Sequence, residues 1–279
     1  NIIGFSSKEL DLRDQRGVFE MIEREKPEAI IDAAAKVGGI LANSTYPYEF
    51  LMDNMLIQNN LIKAAHELNI QKFIFLGSSC IYPKMAPQPL KEEYLLTGPL
   101  EETNQWYAIA KISGVKLIEA LREQYNTDYV SLMPTNMYGP GDNYDLKNSH
   151  VLPAILRKFH EAKVNNHDDV LLWGSGLPKR EFLHVDDLAN AVVYALENKM
   201  EEPLYNVGSE VEISIKKLAQ LIQKIVGHEG EIIWDQNKPD GTPRKLMDSS
   251  KLQRLGWSST IDLKTGITKV YNNYINEVK

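Results

Sequence analysis

The sequence has little cysteine, no long apolar run and no excess of positive charge. Cys80 is the only cysteine among 279 residues, so an internal disulfide is excluded and a reducing compartment, the cytoplasm, is predicted. No apolar run approaches the length of about 18 residues that a membrane-spanning helix needs. The net charge is −7 and no block of Lys and Arg offsets it, which argues against nucleic acid or an anionic membrane as partner.

Strand and helix patterns alternate along the chain. Short apolar runs predict buried strands at 28–34, 72–77 and 128–134, and apolar residues at helical spacing predict helices at 48–68 and 105–124. This alternation predicts an α/β fold, a Rossmann-like doubly wound parallel sheet with helices on both faces. Beyond residue 139 the pattern predicts a smaller C-terminal α/β domain, with helices at 149–163, 186–198, 214–226, 248–255 and 263–277 and strands at 171–173 and 231–234.

Three segments rich in glycine, serine or other polar residues follow predicted strands. They are 33–39, 77–80 and 134–138. Ligands of open parallel sheets bind outside the carboxyl ends of the strands, so the sequence predicts a site where these segments meet. The Pro-rich, acidic stretch 83–102 is predicted to be a surface loop.

Tyr107 and Lys111 are four residues apart on a predicted helix, so they share one face. A nearby ammonium favours phenolate, and we therefore expect Lys111 to lower the pKa of Tyr107. This spacing alone is weak evidence for a catalytic pair. Ser78 strengthens it, because it lies at the end of a predicted strand and could supply a hydroxyl beside the phenol. Together the three residues predict a proton donor near a sugar or ketone oxygen.

Several other residues have an ordinary structural interpretation beside a functional one. Cys80 could be a small buried apolar residue, His150 a helix cap, and Trp173 a core residue. Arg180 could pair with Glu181 or Asp186, or it could clamp a diphosphate, whose oxygens suit a guanidinium. Charged runs such as 92–93 and 201–202 are interpreted as solvated surface.

Several motifs jointly make the chain similar to the extended short-chain dehydrogenase/reductases. They are Gly-Ser-Ser-Cys-Ile-Tyr-Pro at 77–83, Tyr-Ala-Ile-Ala-Lys at 107–111, Pro-Thr-Asn-Met-Tyr-Gly-Pro at 134–140 and Arg-Glu-Phe-Leu-His-Val-Asp-Asp at 180–187. Further motifs at 35–39, 148–150 (Asn-Ser-His) and 238–245 narrow the resemblance to the family of GDP-L-fucose synthases. It extends over essentially the whole chain.

The resemblance implies an enzyme that epimerises GDP-4-keto-6-deoxy-D-mannose at C3 and C5 and then reduces its C4 ketone with NADPH. By this resemblance Ser78, Tyr107 and Lys111 are the reductase triad, and Cys80 and His150 are the acid and base of epimerisation. The chemistry suits these residue types, because the C4 ketone acidifies the hydrogens at C3 and C5, and thiol and imidazole titrate near neutrality.

The resemblance also implies binding residues and domains. Those expected to contact NADP(H) are Leu76, Gly77, Ser78, Ser79, Lys111, Pro134, Thr135, Asn136, Met137 and His150. Those expected to contact substrate are Lys158, Trp173, Arg180 and Asp240; no metal ligand is implied. The NADP-binding domain is expected at 1–139 with about 184–206, the substrate-binding domain at 140–183 with 207–279, and the protein as a homodimer that pairs helices 48–68 and 105–124.

The chain departs from the family at its start. Members begin with a strand and a glycine-rich turn whose amides hold the cofactor pyrophosphate, and residues 1–30 supply no such turn. We therefore expect that about the first 30 residues of the family pattern, with the first strand, its glycine turn and the following helix, are absent from this sequence. Ser6, Ser7 and Lys8 are weak candidates for contacting the 2′-phosphate of NADP.

Three rival functions remain open from the sequence. A GDP-mannose 3,5-epimerase resembles the Cys80 motif but pairs the cysteine with a lysine, whereas His150 favours the synthase. A 4,6-dehydratase requires an acidic pair where Ser79 and Cys80 stand. A non-catalytic nucleotide-sugar-binding protein would bind the sugar without consuming NADPH.

Overall fold

The computed structural model describes residues 1–146, 149–238 and 240–277. Asn148 and Pro239, which belong to two of the motifs above, lie outside the described residues. In chain order the elements are α1 (Gln15–Glu25), β1 (Ala29–Asp32), α2 (Ile40–Thr45), α3 (Pro47–Glu67), β2 (Lys72–Leu76), α4 (Gln105–Tyr125), β3 (Asp128–Pro134), β4 (Asn136–Tyr138), α5 (Val151–Val164), β5 (Asp169–Trp173), β6 (Lys179–His184), α6 (Val185–Glu197), β7 (Leu204–Val207), β8 (Glu212–Ser214), α7 (Ile215–Val226), β9 (Glu231–Asp235), β10 (Arg244–Lys245), α8 (Ser250–Arg254) and α9 (Leu263–Glu277).

The main sheet has the strand order β1-β2-β3-β7, with β1–β2 and β2–β3 paired in parallel. Each parallel pair needs a crossover, and α3 and α4 provide the two crossovers of β1–β2 and β2–β3. These helices pack against each other. The carboxyl ends of β1, β2 and β3 therefore share one edge, as the α/β prediction requires.

The contacts divide the chain into two units. The first comprises 1–83, 100–133 and 192–205, and the second 84–99, 134–191 and 206–279. The second unit contains smaller sheets, in which β6 pairs with β4, β8 and β10 and β5 pairs with β9, around a core of α5, α7 and α9. The units differ from the expected domains in three segments, which belong to the second unit and were expected in the first: 84–99, 134–139 and 184–191. Which unit binds the cofactor and which the substrate stays a prediction.

The predicted fold class and most predicted elements are confirmed, and the strand at 128–134 agrees with β3. Two expectations are wrong. The stretch 83–102 is not only a surface loop, because Leu90 is buried and its amide donates to Leu246 O at 2.7 Å. Glu92 is not solvated: it is 7% exposed, it accepts from the Asn206 amide at 2.9 Å, and burial raises its pKa.

Helix α1 was not predicted, although its start carries a signal. Asp14 caps the helix by accepting from the Arg16 amide, and Val18 and Ile22, four residues apart, are its buried residues. No helix in 1–146, 149–238 or 240–277 has both the length and the apolar character needed to cross a membrane.

Helix α4 positions the residues of the expected triad. It begins after Asn104 and ends at Tyr125, and the next residue, Asn126, adopts the left-handed conformation that commonly terminates helices (φ 55°). Midway along the helix Gly114 packs on β2, where an added Cβ would lie 2.5 Å from Phe75 Cζ and 3.1 Å from Gln58 Cδ. The absence of a side chain at Gly114 thus sets how closely α4 approaches the strand.

Gly114→Ala is predicted to destabilise the protein by about 1–3 kcal/mol, because the added methyl overpacks the α4–β2 contact. This sign is opposite to the gain of about 1 kcal/mol that Gly→Ala gives inside an ordinary helix. Denaturant unfolding measures the difference, with Lys116→Ala at a partly exposed position of α4 as control. A Gly114→Ala variant as stable as the parent would contradict this packing.

Candidate active site

Lys111 is a buried cation at the carboxyl edge of the main sheet. Its side chain is 3% exposed, and its ammonium donates to Leu76 O, the last residue of β2, at 2.9 Å. The nitrogen also lies 4.6 Å from the centroid of the Phe75 ring and 5.9 Å from that of Tyr107. Burial lowers the pKa of Lys111, and the charges of Asp32 and Cys80 oppose this shift.

Tyr107 lies one helical turn before Lys111, as predicted. Its hydroxyl is hydrogen-bonded to the Ser78 side chain, and its ring meets that of Phe50 edge to face with centroids 6.3 Å apart. Ser78 begins a short 3₁₀ turn over Ser79–Ile81, where its Oγ accepts from the Cys80 amide at 3.4 Å. The strand end and the helix therefore bring the hydroxyl and the phenol together.

The predicted direction of the Tyr107 pKa is wrong. Burial raises this pKa, the charges of Cys80 and Asp32 raise it further, and the hydrogen bond from Ser78 opposes them only in part. Desolvation of the phenolate is the largest of these effects. Tyr107 is consequently a neutral phenol at neutral pH, which is the form that donates a proton.

Cys80 lies in the same part of the first unit. The thiol is 6% exposed and interacts electrostatically with both Tyr107 and Lys111. Ser79 is buried to the same degree. Gly77 precedes this turn, and an added Cβ there would lie 1.9 Å from Met133 Cε. The chain thus reaches the turn through a position that only glycine fills without repacking.

Asp32 was missed by the sequence interpretation. It ends β1 and is 1% exposed, and burial raises its pKa to about 6 against the attraction of Lys111. An aspartate that ends an apolar run, Ala29–Asp32, was the available signal. The first unit therefore holds a hydroxyl, a thiol, a phenol, an ammonium and a carboxyl group at one sheet edge.

In the second unit, two of the four expected substrate residues, Trp173 and Lys158, lie together at an exposed indole. Trp173 ends β5 and is 55% exposed. The Lys158 nitrogen lies 5.7 Å and the Lys238 nitrogen 5.2 Å from its ring centroid. Lys158 also donates to Leu171 O at 2.8 Å, and burial lowers its pKa. An exposed aromatic ring with two cations near it suits a nucleotide, because a base can stack and the phosphates carry negative charge.

Asp240 holds the turn that follows Trp173. It accepts from the Ser175 amide and hydroxyl, both at 2.7 Å, and an added Cβ on Gly174 would lie 2.3 Å from its Oδ1. Arg180 interacts with the Asp240 charge, although burial lowers the pKa of the guanidinium. Arg180 pairs with neither Glu181 nor Asp186 among the ion pairs of the described residues; it donates to Lys179 O at 2.8 Å.

Glu181 is another buried carboxyl group, and the sequence did not indicate its structural role. It is fully buried and accepts from the amides of Met247, at 2.9 Å, and Glu210. Burial raises its pKa against these hydrogen bonds. Its backbone oxygen accepts from Asn136 Nδ2 at 2.8 Å and Thr135 Oγ1 at 3.4 Å. Glu181 therefore ties the expected cofactor segment after β3 to two later loops.

The remaining expected residues lie in the second unit. Pro134 ends β3, Met137 pairs with Leu183 in the β4–β6 ladder, and His150 is the exposed residue that precedes α5. Burial raises the pKa of Asp142, and the interaction with His150 opposes this rise only in part. The structure thus places His150 at a helix N-terminus, and its role with Cys80 stays a prediction.

The sheet edge has features that fit the ribose and nicotinamide end of a dinucleotide. Lys111 has N–H groups beyond the one that donates to Leu76 O, and these suit ribose hydroxyls. Small side chains follow β1, since Ala33–Ala35 are exposed or half-buried. Ser6 is one of the residues expected near the 2′-phosphate. Its hydroxyl donates to the carboxylate of Glu9 at 2.7 Å, so it already has an acceptor within the chain.

Comparisons with known proteins show the family of the chain. A model of the NAD dependent epimerase/dehydratase family matches residues 3–208. The chain is 53% identical over 278 residues to GDP-L-fucose synthase 1 of Arabidopsis thaliana, covering 100% of this chain and 86% of that protein. It is 51% identical over 276 residues to GDP-L-fucose synthase of Escherichia coli K12, covering 96% and 86%.

A solved structure has the same fold. A GDP-L-fucose synthetase from Naegleria fowleri, bound to NADP, superposes with a TM-score of 0.90 at 29% identity, covering 98% of this chain and 84% of that one.

Asp32→Asn is predicted to stabilise the protein at pH 8 and to leave its stability unchanged near pH 4. The pKa rises from 3.8 to about 6 on folding, so the native state holds a proton that the unfolded state has lost. Stability falls as pH rises through this window, by up to about 3 kcal/mol, and asparagine avoids the loss.

Urea unfolding of parent and variant from pH 4 to pH 8 measures this difference, with Glu201→Gln at an exposed position as control for removing one charge. An asparagine variant that is less stable than the parent at pH 8 would contradict the buried position of the carboxyl group.

Proposed function

The chain belongs to the NAD dependent epimerase/dehydratase family and, within it, to the GDP-L-fucose synthases, and from this membership we propose that it converts GDP-4-keto-6-deoxy-D-mannose into GDP-L-fucose with NADPH. The proposed reaction has two stages, epimerisation at C3 and C5 followed by reduction at C4. The observation that carries the proposal is the meeting of Ser78, Cys80, Tyr107 and Lys111 at one sheet edge.

For the reduction, Tyr107 is the proton donor. NADPH, when bound, supplies the hydride that reduces the C4 ketone. The raised pKa of Tyr107 keeps its proton available for the alkoxide oxygen formed at C4. Ser78 donates a hydrogen bond to the same oxygen and stabilises its developing negative charge. Lys111 offsets the charge left on the phenolate once the proton has moved.

For the epimerisation, the C4 ketone stabilises the enolate formed when a proton leaves C3 or C5. Inversion requires a base on one face of the ring and an acid on the other. We assign these roles to Cys80 and His150. The buried thiol interacts with the Lys111 ammonium, and a nearby cation favours the thiolate, which is the basic form. His150 is exposed before α5 and supplies the second group.

The substrate's GDP moiety is assigned to the group around Trp173. The exposed indole offers a stacking surface, and Lys158 lies beside it. Arg180 supplies a guanidinium that suits the diphosphate. Asp240 fixes the turn over Gly174–Gly176 and interacts with the Arg180 charge. The site thus combines an aromatic face with cations, as a nucleotide diphosphate requires.

The comparisons favour this function over the three rivals. The reported relatives, at 51% and 53% identity, carry the name GDP-L-fucose synthase. None of the triad, thiol or imidazole positions is missing from the chain, so a non-catalytic binder is disfavoured. A 4,6-dehydratase function is also disfavoured, because Ser79 and Cys80 stand where such an enzyme has its acidic pair.

We further propose a homodimer in the cytoplasm. Helix α3 exposes Tyr48, Met52 and Leu56, four residues apart on one face, and α4 exposes Trp106 and Ile109. Apolar side chains in such a row are typical of a helix face that packs against another helix. A second copy of the chain would cover both helices.

Two substitutions should separate the two stages. Cys80→Ser is predicted to stop exchange of solvent deuterium into C3 and C5, because a hydroxyl is a far weaker base than a thiolate. Tyr107→Phe should keep this exchange and lower the rate of NADPH oxidation by 100-fold or more, on the order of the contribution of a general acid. NMR of the sugar in D₂O and absorbance of the reduced nicotinamide measure the two stages.

Tyr125→Phe, at the exposed end of α4, is the matched control and should keep both activities. If Cys80→Ser and Tyr107→Phe both behaved like the parent, the residue roles would be wrong.

Trp173→Ala is predicted to raise the KM for the GDP-sugar about tenfold while leaving kcat near the parent value. Stacking on the indole is worth about 1–3 kcal/mol, and Trp173 does not belong to the reacting groups. Steady-state kinetics at saturating NADPH provide the test. Leu171→Ala, on the same strand and 51% exposed, is the control. A fall in kcat at unchanged KM would contradict this assignment.

A further inference from the structure

Asp32 is a buried carboxyl group whose hydrogen-bonding capacity is only partly used. Its Oδ1 accepts from the Ala34 amide at 3.2 Å, whereas Oδ2 is buried with no hydrogen-bond donor among the described residues. A buried carboxylate with an unsatisfied oxygen destabilises the folded state. A residue that costs stability at the edge of a reactive site is a candidate for function.

The strand register places Asp32 on the same face of the sheet as α4. Asp32 is paired with Phe75 across the parallel β1–β2 ladder, and paired residues of neighbouring strands direct their side chains to the same face. The Phe75 ring contacts α4, since it lies 4.6 Å from Lys111 Nζ. Asp32 and Lys111 thus both lie next to Phe75, on the face of the sheet that α4 covers.

The ionisable groups around Asp32 are few. Lys111 and Tyr107 on α4 both interact with its charge, and Cys80, after β2, interacts with these two. The buried polar residues of α3, which packs on α4, are the neutral amides Asn54, Gln58 and Asn60. On β3, the residue paired with Phe75 is Ser131, which is also neutral. Asp32 is thus the carboxylate that acts on Lys111 within the described residues.

We propose that Asp32 is a positioning residue for the reduction, whose carboxylate keeps the buried Lys111 in its protonated form. This inference rests on the proposed function. Once Tyr107 has given its proton to the substrate, the phenolate needs the Lys111 ammonium beside it. An ammonium that is only 3% exposed tends to lose its proton unless a negative charge lies near. Asp32 supplies that charge at a cost in stability.

The pH profile of the reduction tests the inference. Asp32→Asn should move the alkaline limb of kcat/KM for NADPH oxidation, measured with GDP-4-keto-6-deoxymannose, to lower pH by about one unit. Asp128→Asn is the matched control, because Asp128 also pairs with a buried lysine, Lys72, at 3.1 Å. Since that pair lies at the amino ends of β2 and β3, its loss should leave the limb in place.

A second readout does not depend on turnover. Titration of the Lys111 side-chain nitrogen by NMR, in the protein without added ligand, should give a lower pKa in Asp32→Asn than in the parent. An unchanged titration of Lys111, or an unchanged alkaline limb, would overturn the inference. A parent protein that consumed no NADPH would instead refute the proposed function, while the Lys111 titration would still decide the role of Asp32.

Discussion

The site depends on the burial of one ammonium group. Lys111 donates to the last carbonyl oxygen of β2 and lies against the Phe75 ring, so α4 and β2 are joined at the point where the reactive side chains meet. The close approach at Gly114 makes this contact possible. A charge in this position stabilises negative charge on neighbouring groups without help from water. Tyr107, Cys80 and Asp32 all interact with it or with one another.

Buried carboxylates perform different tasks in the two units. In the second unit Glu181 accepts backbone amides of two distant loops, and this use of its oxygens partly offsets the cost of burial. In the first unit Asp32 has one oxygen without such a donor. The hydrogen bonds of Glu181 order the backbone near the expected cofactor segment. The carboxylate of Asp32 instead acts on the charge of Lys111. A buried carboxyl group therefore holds loops in place at Glu181 and acts on a neighbouring charge at Asp32.

Much of this could be predicted from the sequence. Apolar runs predict strands such as 128–134, and the spacing of Tyr107 and Lys111 predicts that they share one face of a helix. The burial of Glu92 and Glu181 could not be predicted, because their partners lie far away in the chain: Glu92 accepts from Asn206 and Glu181 accepts from Met247. The pKa of Tyr107 was predicted in the wrong direction for the same reason. Its burial is a tertiary property that raises the pKa, and the spacing of Tyr107 and Lys111 does not indicate it.

The central claim is that the protein exchanges protons at carbon and then reduces a ketone. The most direct test incubates the protein with GDP-4-keto-6-deoxymannose and NADPH in D₂O and analyses the product by NMR. The account predicts GDP-L-fucose that carries deuterium at both C3 and C5. A C4-reduced sugar without deuterium at these carbons would contradict it, because the thiol and the imidazole would then have no part in the reaction.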